Sequence, residues 1–147
     1  MAKLLCEIVT PTHVVYRGEA ALVNVPSVEG YAGILPGHEL FSCRMQNGIV
    51  TVYVDEARTE KLEFASYMGF AQYHEGKVIV LSRESIAINE IDTDKVKAQM
   101  VELQAKIDAM TQEEKDEQAA RAEKVKRNTL TDDLEWCQVQ LDCAAKR

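Results

Sequence analysis

The stretch Glu29-Gly30-Tyr31-Ala32-Gly33-Ile34-Leu35-Pro36-Gly37-His38 holds three glycines and a proline in ten residues, in a chain of 147 with only seven glycines and three prolines. Glycine takes positive φ and permits close backbone approach, and Pro36-Gly37 is a turn dipeptide whose φ is preset by the proline ring. The stretch therefore reads as a loop of dictated shape. Outward from it, short apolar and β-branched runs recur: Leu4 to Val9, Val14 to Tyr16, Ala20 to Val25, Ile49 to Val54, Leu62 to Ala65, Phe70 to Tyr73 and Val78 to Leu81. Turn signals part them, among them Thr10-Pro11-Thr12, Gln46-Asn47-Gly48 and His74-Glu75-Gly76-Lys77. Strands this short, with nothing helical between them, predict a sandwich or flattened barrel and exclude βαβ units.

Every glycine and proline lies at or before Gly76, and from Ile91 onward the composition is Ala, Glu, Lys, Gln, Leu and Asp, the residues of helices. The chain is thus expected to divide into residues 1–90, a β-sandwich, and 91–147, a helical hairpin. Two seams run through the second part at 4-3-4-3 spacing: Val96, Met100, Leu103, Ile107 and Met110, then Leu130, Leu134, Cys137, Leu141 and Ala144. Asp92 or Thr93 is suited to cap the first helix. Thr111 with Glu114 has capping-box spacing, and Thr131 before Asp132 and Asp133 marks a further helix start.

The formal charge of −7, with 28% charged and 46% hydrophobic residues, describes a folded chain and lacks the clustered cations of a nucleic-acid binder. No apolar run approaches the roughly 18 residues that cross a bilayer, so membrane contact is expected only through a partner. Leu4-Leu5-Cys6 has the look of a lipoprotein signal, but it falls short of the roughly 7 to 15 apolar residues of an export segment and reads as the first strand. Cys6, Cys43, Cys137 and Cys143 show neither C-x-x-C spacing nor a histidine at ligand spacing, which favours buried reduced thiols over a metal site or disulfides and suits the cytosol. His13, His38 and His74 each sit at or beside a turn, and neither a nucleophile elbow nor a phosphate-binding loop is present, so no catalytic residue and no cofactor is expected.

With Val25-Pro26-Ser27-Val28 before it, the glycine loop resembles that of the epsilon subunit of the F-type, rotary, proton-translocating ATP synthase. A second block, Tyr67-Met68-Gly69-Phe70-Ala71 followed by Val78-Ile79-Val80-Leu81 and Glu84-Ser85-Ile86, resembles that family's second signature, with Met68 in place of the first glycine. Two separated blocks in the right order, followed by a helical tail, agree across levels. The resemblance implies a β-sandwich of about ten strands joined to a two-helix hairpin. It further implies a non-catalytic central-stalk subunit that couples rotation of the membrane ring of c subunits to gamma during proton-driven ATP synthesis, peripheral on the cytoplasmic face of the energy-coupling membrane. The partners implied are gamma, the c-ring and beta, with alpha as a further candidate.

By resemblance, Glu29, Gly30, Tyr31, Ala32 and Gly33 form a loop facing the c-ring, and Pro36, Gly37, His38 and Cys43 face gamma. Glu39-Leu40 stands where the family has Ala-Pro, and Tyr31 stands at a position often acidic. Bacterial relatives bind ATP through a motif resembling [IL]-D-x-x-R-A. Here Ile91-Asp92-Thr93-Asp94-Lys95-Val96 puts Lys95 and Val96 where the motif has Arg and Ala, so nucleotide binding is expected to be weak or absent. Arg121, Lys124, Lys126 and Arg127 form a basic group in an acidic tail, read either as a solvated helix face or as an inhibitory contact to an acidic beta segment that restrains ATP hydrolysis. The alternatives are a free-standing β-sandwich adaptor with a helical protein-binding tail, and a small hydrolase.

Overall fold

The computed structural model describes residues 3–37, 39–125 and 130–146, with 122–125 described by backbone alone. Its contacts group into two compact units, Met1–Glu90 and Ile91–Lys146.

The first unit carries eight strands: β1 (Leu4–Val9), β2 (Val14–Ala20), β3 (Leu22–Ser27), β4 (Gly30–Ile34), β5 (Phe41–Met45), β6 (Gly48–Tyr53), β7 (Lys61–His74) and β8 (Lys77–Ala87), then a 3₁₀ turn at Ile88–Glu90. They hydrogen-bond in the order β2-β1-β8-β7-β5-β3-β4, and β6 bridges β3 and β7. All neighbours are antiparallel except β1 and β8, which run parallel from Leu5↔Lys77 to Val9↔Leu81. The β7–β8 hairpin closes at Glu75-Gly76, with φ of 48° and 82°, the positive pair that matches strand twist in a two-residue turn.

Two layers arise because β7 bends. Its first half pairs with β6, from Lys61↔Tyr53 to Ser66↔Gly48, and its second half with β5, from Gly69↔Met45 to Tyr73↔Phe41. The corner is Met68-Gly69, with φ of 50° and 133°. A strand that changes layers needs such a bend. At Gly69 the partner strand comes so close that a Cβ would stand 1.9 Å from the Leu81 carbonyl oxygen, so only glycine fits. Between the layers, Leu4, Cys6, Ile8, Val23, Val25, Ile34, Val50, Val52, Val78 and Val80 are almost wholly buried. Each Val, Leu or Ile so buried stabilises by about 1.5–3 kcal/mol before chain entropy is counted.

The count of eight among the described residues differs from the about ten implied by the resemblance. Of the runs read in the sequence, Leu62 to Ala65 and Phe70 to Tyr73 are one 14-residue strand. Conversely, Gly30–Ile34 and Phe41–Met45 are strands that the sequence reading left inside or beside a loop.

The second unit holds three helices, where a hairpin of two was expected: α1 (Thr93–Ala109), α2 (Gln112–Val125) and α3 (Leu130–Ala144). Asp92 caps α1, its carboxylate accepting from the Lys95 N–H at 3.2 Å. Thr111 caps α2 by accepting from the Glu114 N–H at 3.3 Å, so the chain breaks at Met110 as the capping spacing predicts. The first N–H of α3 is taken by the Gln118 side chain (Leu130 N to Oε1, 3.0 Å). α1 and α3 pack on each other. Val96 is buried on α1, and on α3 the buried residues are Cys137, Val139, Gln140, Cys143 and Ala144, so burial there departs from the expected seam, whose Leu130, Leu134 and Leu141 are half-buried. From Thr111 to Arg121, the side chains are exposed apart from the half-buried Gln118.

Candidate functional site

The glycine-rich stretch is mostly strand. Val28 and Glu29 make the turn, Ser27 pairs with Gly30, and Tyr31, Ala32 and Gly33 run on in β4 as far as Val23↔Ile34. The reading of residues 29–33 as a loop is corrected accordingly: β-pairing to Val23–Ser27 overrides the low strand preference of glycine. The Ser27 hydroxyl accepts from the Glu29 N–H at 3.2 Å and fixes the turn. Gly30 and Gly37 take positive φ, 122° and 82°, whereas Gly33 has an ordinary φ and space for a methyl group. The Tyr31 hydroxyl lies near Gly48, where an added Cβ would fall 3.2 Å from it, and the residue is 54% exposed.

Pro36-Gly37 is tethered to the second half of β7: the Gly37 N–H donates to the Tyr73 hydroxyl at 3.1 Å. Cys43 sits on β5 opposite Ala71. Burial raises its thiol pKa, opposed by hydrogen bonds from the Ala71 backbone and the Ser27 hydroxyl. A groove of about 480 Å³ runs between the hairpin and β5, lined by Val28, Gly30, Tyr31, Phe41, Cys43 and Arg44 among others. The fold thus brings Glu29 to Ala32 and Cys43 to one place, while His38 lies outside the described residues.

Val28, Tyr31, Leu35 and Leu40, all within residues 28–40, are 53%, 54%, 48% and 78% exposed, four of the eleven large apolar residues left open among those described. Val28 and Tyr31 line the groove beside β5. The sequence reading missed a second group. Phe70 pairs with Leu81, Leu81 with Val9, and Val9 with Val14, forming a row across β7, β8, β1 and β2 in which Phe70, Leu81 and Val14 are about half exposed. The available signal was apolar residues on both phases of strands β1 and β8.

In the helical unit, Ile91 and Val96 are buried and Asp92 is the helix cap, while Lys95 is exposed. The groove between α1 and α3, about 430 Å³, is lined by Leu103, Lys106, Trp136 and Gln140 among others, and its lining does not include Asp92 or Lys95. Arg121 is exposed and pairs with Glu117 at 3.6 Å. The side chain of Lys124, and Lys126 and Arg127 entirely, lie outside the described residues.

Residues 3–88 match the sequence profile of a family described as ATP synthase, Delta/Epsilon chain, beta-sandwich domain. The ATP synthase epsilon chain of Hydrogenobaculum sp. (strain Y04AAS1) is 36% identical over 112 residues, 76% of this chain and 79% of that one. The epsilon chain of Maricaulis maris (strain MCS10) is 31% identical over 118 residues, 80% and 86% of the two chains. A chain of the Euglena gracilis mitochondrial ATP synthase, seen by cryo-electron microscopy in an OSCP/F1/c-ring assembly, shares the fold with a TM-score of 0.60 at 19% identity, covering 99% of this chain and 79% of that one. By its sandwich and by these relatives, the chain belongs to the delta/epsilon chain family of ATP synthase.

Proposed function

We propose that the chain is a non-catalytic central-stalk subunit of ATP synthase, peripheral to the energy-coupling membrane, which passes rotation between the c-ring and gamma. The observation that carries this is the run of open apolar residues Val28, Tyr31, Leu35 and Leu40 on a sandwich of this family. A lone adaptor would also expose apolar residues, but here they fall on or beside the hairpin that the family resemblance assigns to the ring and the segment it assigns to gamma. Glu29 to Gly33 face the ring in this reading, with Tyr31 offering an exposed aromatic side chain. Pro36 to Cys43 face gamma. Among the described residues no helix is long and apolar enough to cross a membrane.

The test is capture of the tagged chain from detergent-solubilised membranes, with bound proteins identified by mass. Recovery of alpha, beta, gamma and c in fixed proportion supports the reading, and recovery of unrelated partners alone sinks it. We assign the helical unit a restraining role on ATP hydrolysis through α2, acidic at Glu113 and Glu114 in its first turn and exposed from Gln112 to Arg121 apart from Gln118, and through the basic residues Arg121, Lys124, Lys126 and Arg127 of the sequence. Deleting everything after Glu90 should raise hydrolysis by the assembled complex, most clearly at low ionic strength where charge contacts are least screened. Equal rates with truncated and full-length subunits across a salt series would remove that role.

A further inference from the structure

β2 ends the order of paired strands, and its outer edge is bounded at both ends. Regular pairing with β1 runs from Leu4↔Ala20 to Ile8↔Tyr16 and then shifts register. At the other end β6 takes over, the Ala21 N–H donating to the Tyr53 carbonyl at 2.8 Å. The edge left between them is Tyr16 to Ala20, and its midpoint is Gly18.

Which of its groups point outward follows from β1. The Leu5 N–H donates to the Gly76 carbonyl at 2.9 Å, on the β8 side, so Leu5 and Glu7 bond to β8 and Cys6 bonds to β2. Cys6↔Gly18 is then a pair that exchanges both hydrogen bonds, and by alternation Arg17 and Glu19 turn their N–H and C=O away from β1. The Ala21 bond to Tyr53 has the same phase. Both Arg17 and Glu19 are exposed.

A second copy laid antiparallel across a two-fold axis at Gly18 matches this edge in bonding and in charge. It sets Arg17 of each copy opposite Glu19 of the other, and these are the residues whose main-chain groups face outward, so each pair can exchange two hydrogen bonds. Opposite charges directly across a sheet attract. Slipping the pairing by one residue sets outward groups against inward ones, and slipping it by two sets Arg17 against Arg17 or Glu19 against Glu19. Arg17 has room for the second carboxylate, because its Nε donates to Glu7 at 3.0 Å while the side chain stays 64% exposed. Gly18 suits the axis, where the two backbones come closest: it adds no side chain, and a Cβ there would stand 2.6 Å from the Tyr16 hydroxyl of its own chain. Edge charges of one sign repel a copy, whereas one of each sign placed evenly about the midpoint complements it. β4 has no charged residue and β5 only Arg44, so neither specifies a register for a copy of itself.

We infer that the free chain self-associates through β2, as a symmetric antiparallel dimer centred on Gly18 and specified by two pairs of Arg17 with Glu19. Such a dimer forms whether or not the chain serves a central stalk. Two bonded pairs make a small interface, so the association is weak and concentration-dependent.

Sedimentation equilibrium of the full-length chain, carried to about 1 mM, should show monomer and dimer in exchange. Glu19→Lys sets a like charge against Arg17 and should weaken the dimer about tenfold or more, and Arg17→Glu should do the same against Glu19. An equimolar mixture of the two variants should associate as wild type does, since every facing pair is again of opposite charge. Amide exchange of the unaltered chain is the second arm, and it stands even if Arg17→Glu, which also loses its bond to Glu7, folds poorly. The Arg17 and Glu19 amides should slow about fivefold as concentration rises, while Gly18, bonded to β1, is slow throughout. A monomer at every concentration overturns the proposal, as does a dimer whose new protection falls on β4 or β5. A mixture no better than either variant alone, with both keeping the wild-type circular-dichroism spectrum, overturns it too.

Discussion

Replacing Gly69 with alanine tests the bend on which the two layers depend. The new Cβ would stand 1.9 Å from the Leu81 carbonyl oxygen, 2.8 Å from the Ser82 Cα and 2.9 Å from the Leu81 carbonyl carbon, at a φ of 133°. Ordinary contact begins near 3.4 Å, so the β8 backbone would have to withdraw from 1.9 Å to 3.4 Å, about 1.5 Å, in a close-packed sheet. The disfavoured φ costs about 1–3 kcal/mol. Losing the ladder bonds around Gly69↔Ser82 and Phe70↔Leu81 adds about 1 kcal/mol each. The sum, about 3–5 kcal/mol, is a large part of the roughly 5–15 kcal/mol that holds a domain together. For a unit of this size the sandwich transition should fall by at least about 12 °C. Calorimetry of the full-length chain measures it, with Gly33→Ala as the reference, since a methyl there meets only Leu22 Cδ1 at 3.4 Å and should stay within about 0.5 kcal/mol of wild type. Coincident transitions for the two variants would refute the argument that close approach at Gly69 builds the corner.

Acid sensitivity should be traceable to Glu7. Lys77, hydrogen-bonded to it at 3.1 Å, and Arg17 at 3.0 Å hold its carboxyl below the ordinary value against the opposing effect of burial. Because the folded value lies below the unfolded one of about 4.3, this stabilisation is present above that pH and lost as pH falls through the folded value. Glu7→Gln should therefore flatten the acid limb of the stability curve, and superimposable pH profiles would count against it. Among the thiols, burial and then Glu7 push Cys6 up to about 12, and Cys137 and Cys143 are also buried. A maleimide should label Cys43 first in the native chain, and mass mapping that finds Cys6 modified at the same rate would contradict the packing. ATP titrated into the free chain should show no saturation at low micromolar concentration, because Asp92 is spent on the helix cap and Val96 is buried. A tight signal abolished by Lys95→Ala would reverse that conclusion.

Local chemistry made much of the architecture legible. β1 spans Leu4–Val9 as its apolar run indicates, and Asp92 and Thr111 cap the helices that their spacing marks. The missed strands have a common cause. β4 contains two glycines and β5 the polar pair Ser42 and Arg44, so neither carries strand preference of its own, and each exists because a neighbour pairs with it. The corner at Met68-Gly69 misled in the opposite sense, since a bend inside one long strand looks in sequence like a turn between two. In the glycine stretch, Gly30 and Gly37 take the positive φ that its reading as dictated backbone expects. Gly33 needs no special conformation, and Gly69, on another strand, is the one that admits no side chain.

The amino-acid order alone determined that a strand-forming segment precedes a helix-forming one, where the break between them falls, and which short blocks mark the family, because periodicity, capping and turn chemistry act over a few residues. It left undecided which face of each strand would be covered. Phe70 and Ala71 are neighbours of similar strand character, yet one is 52% exposed and the other is sealed in the core. Tertiary structure settled that, since exposure depends on which layer lies opposite after β7 bends.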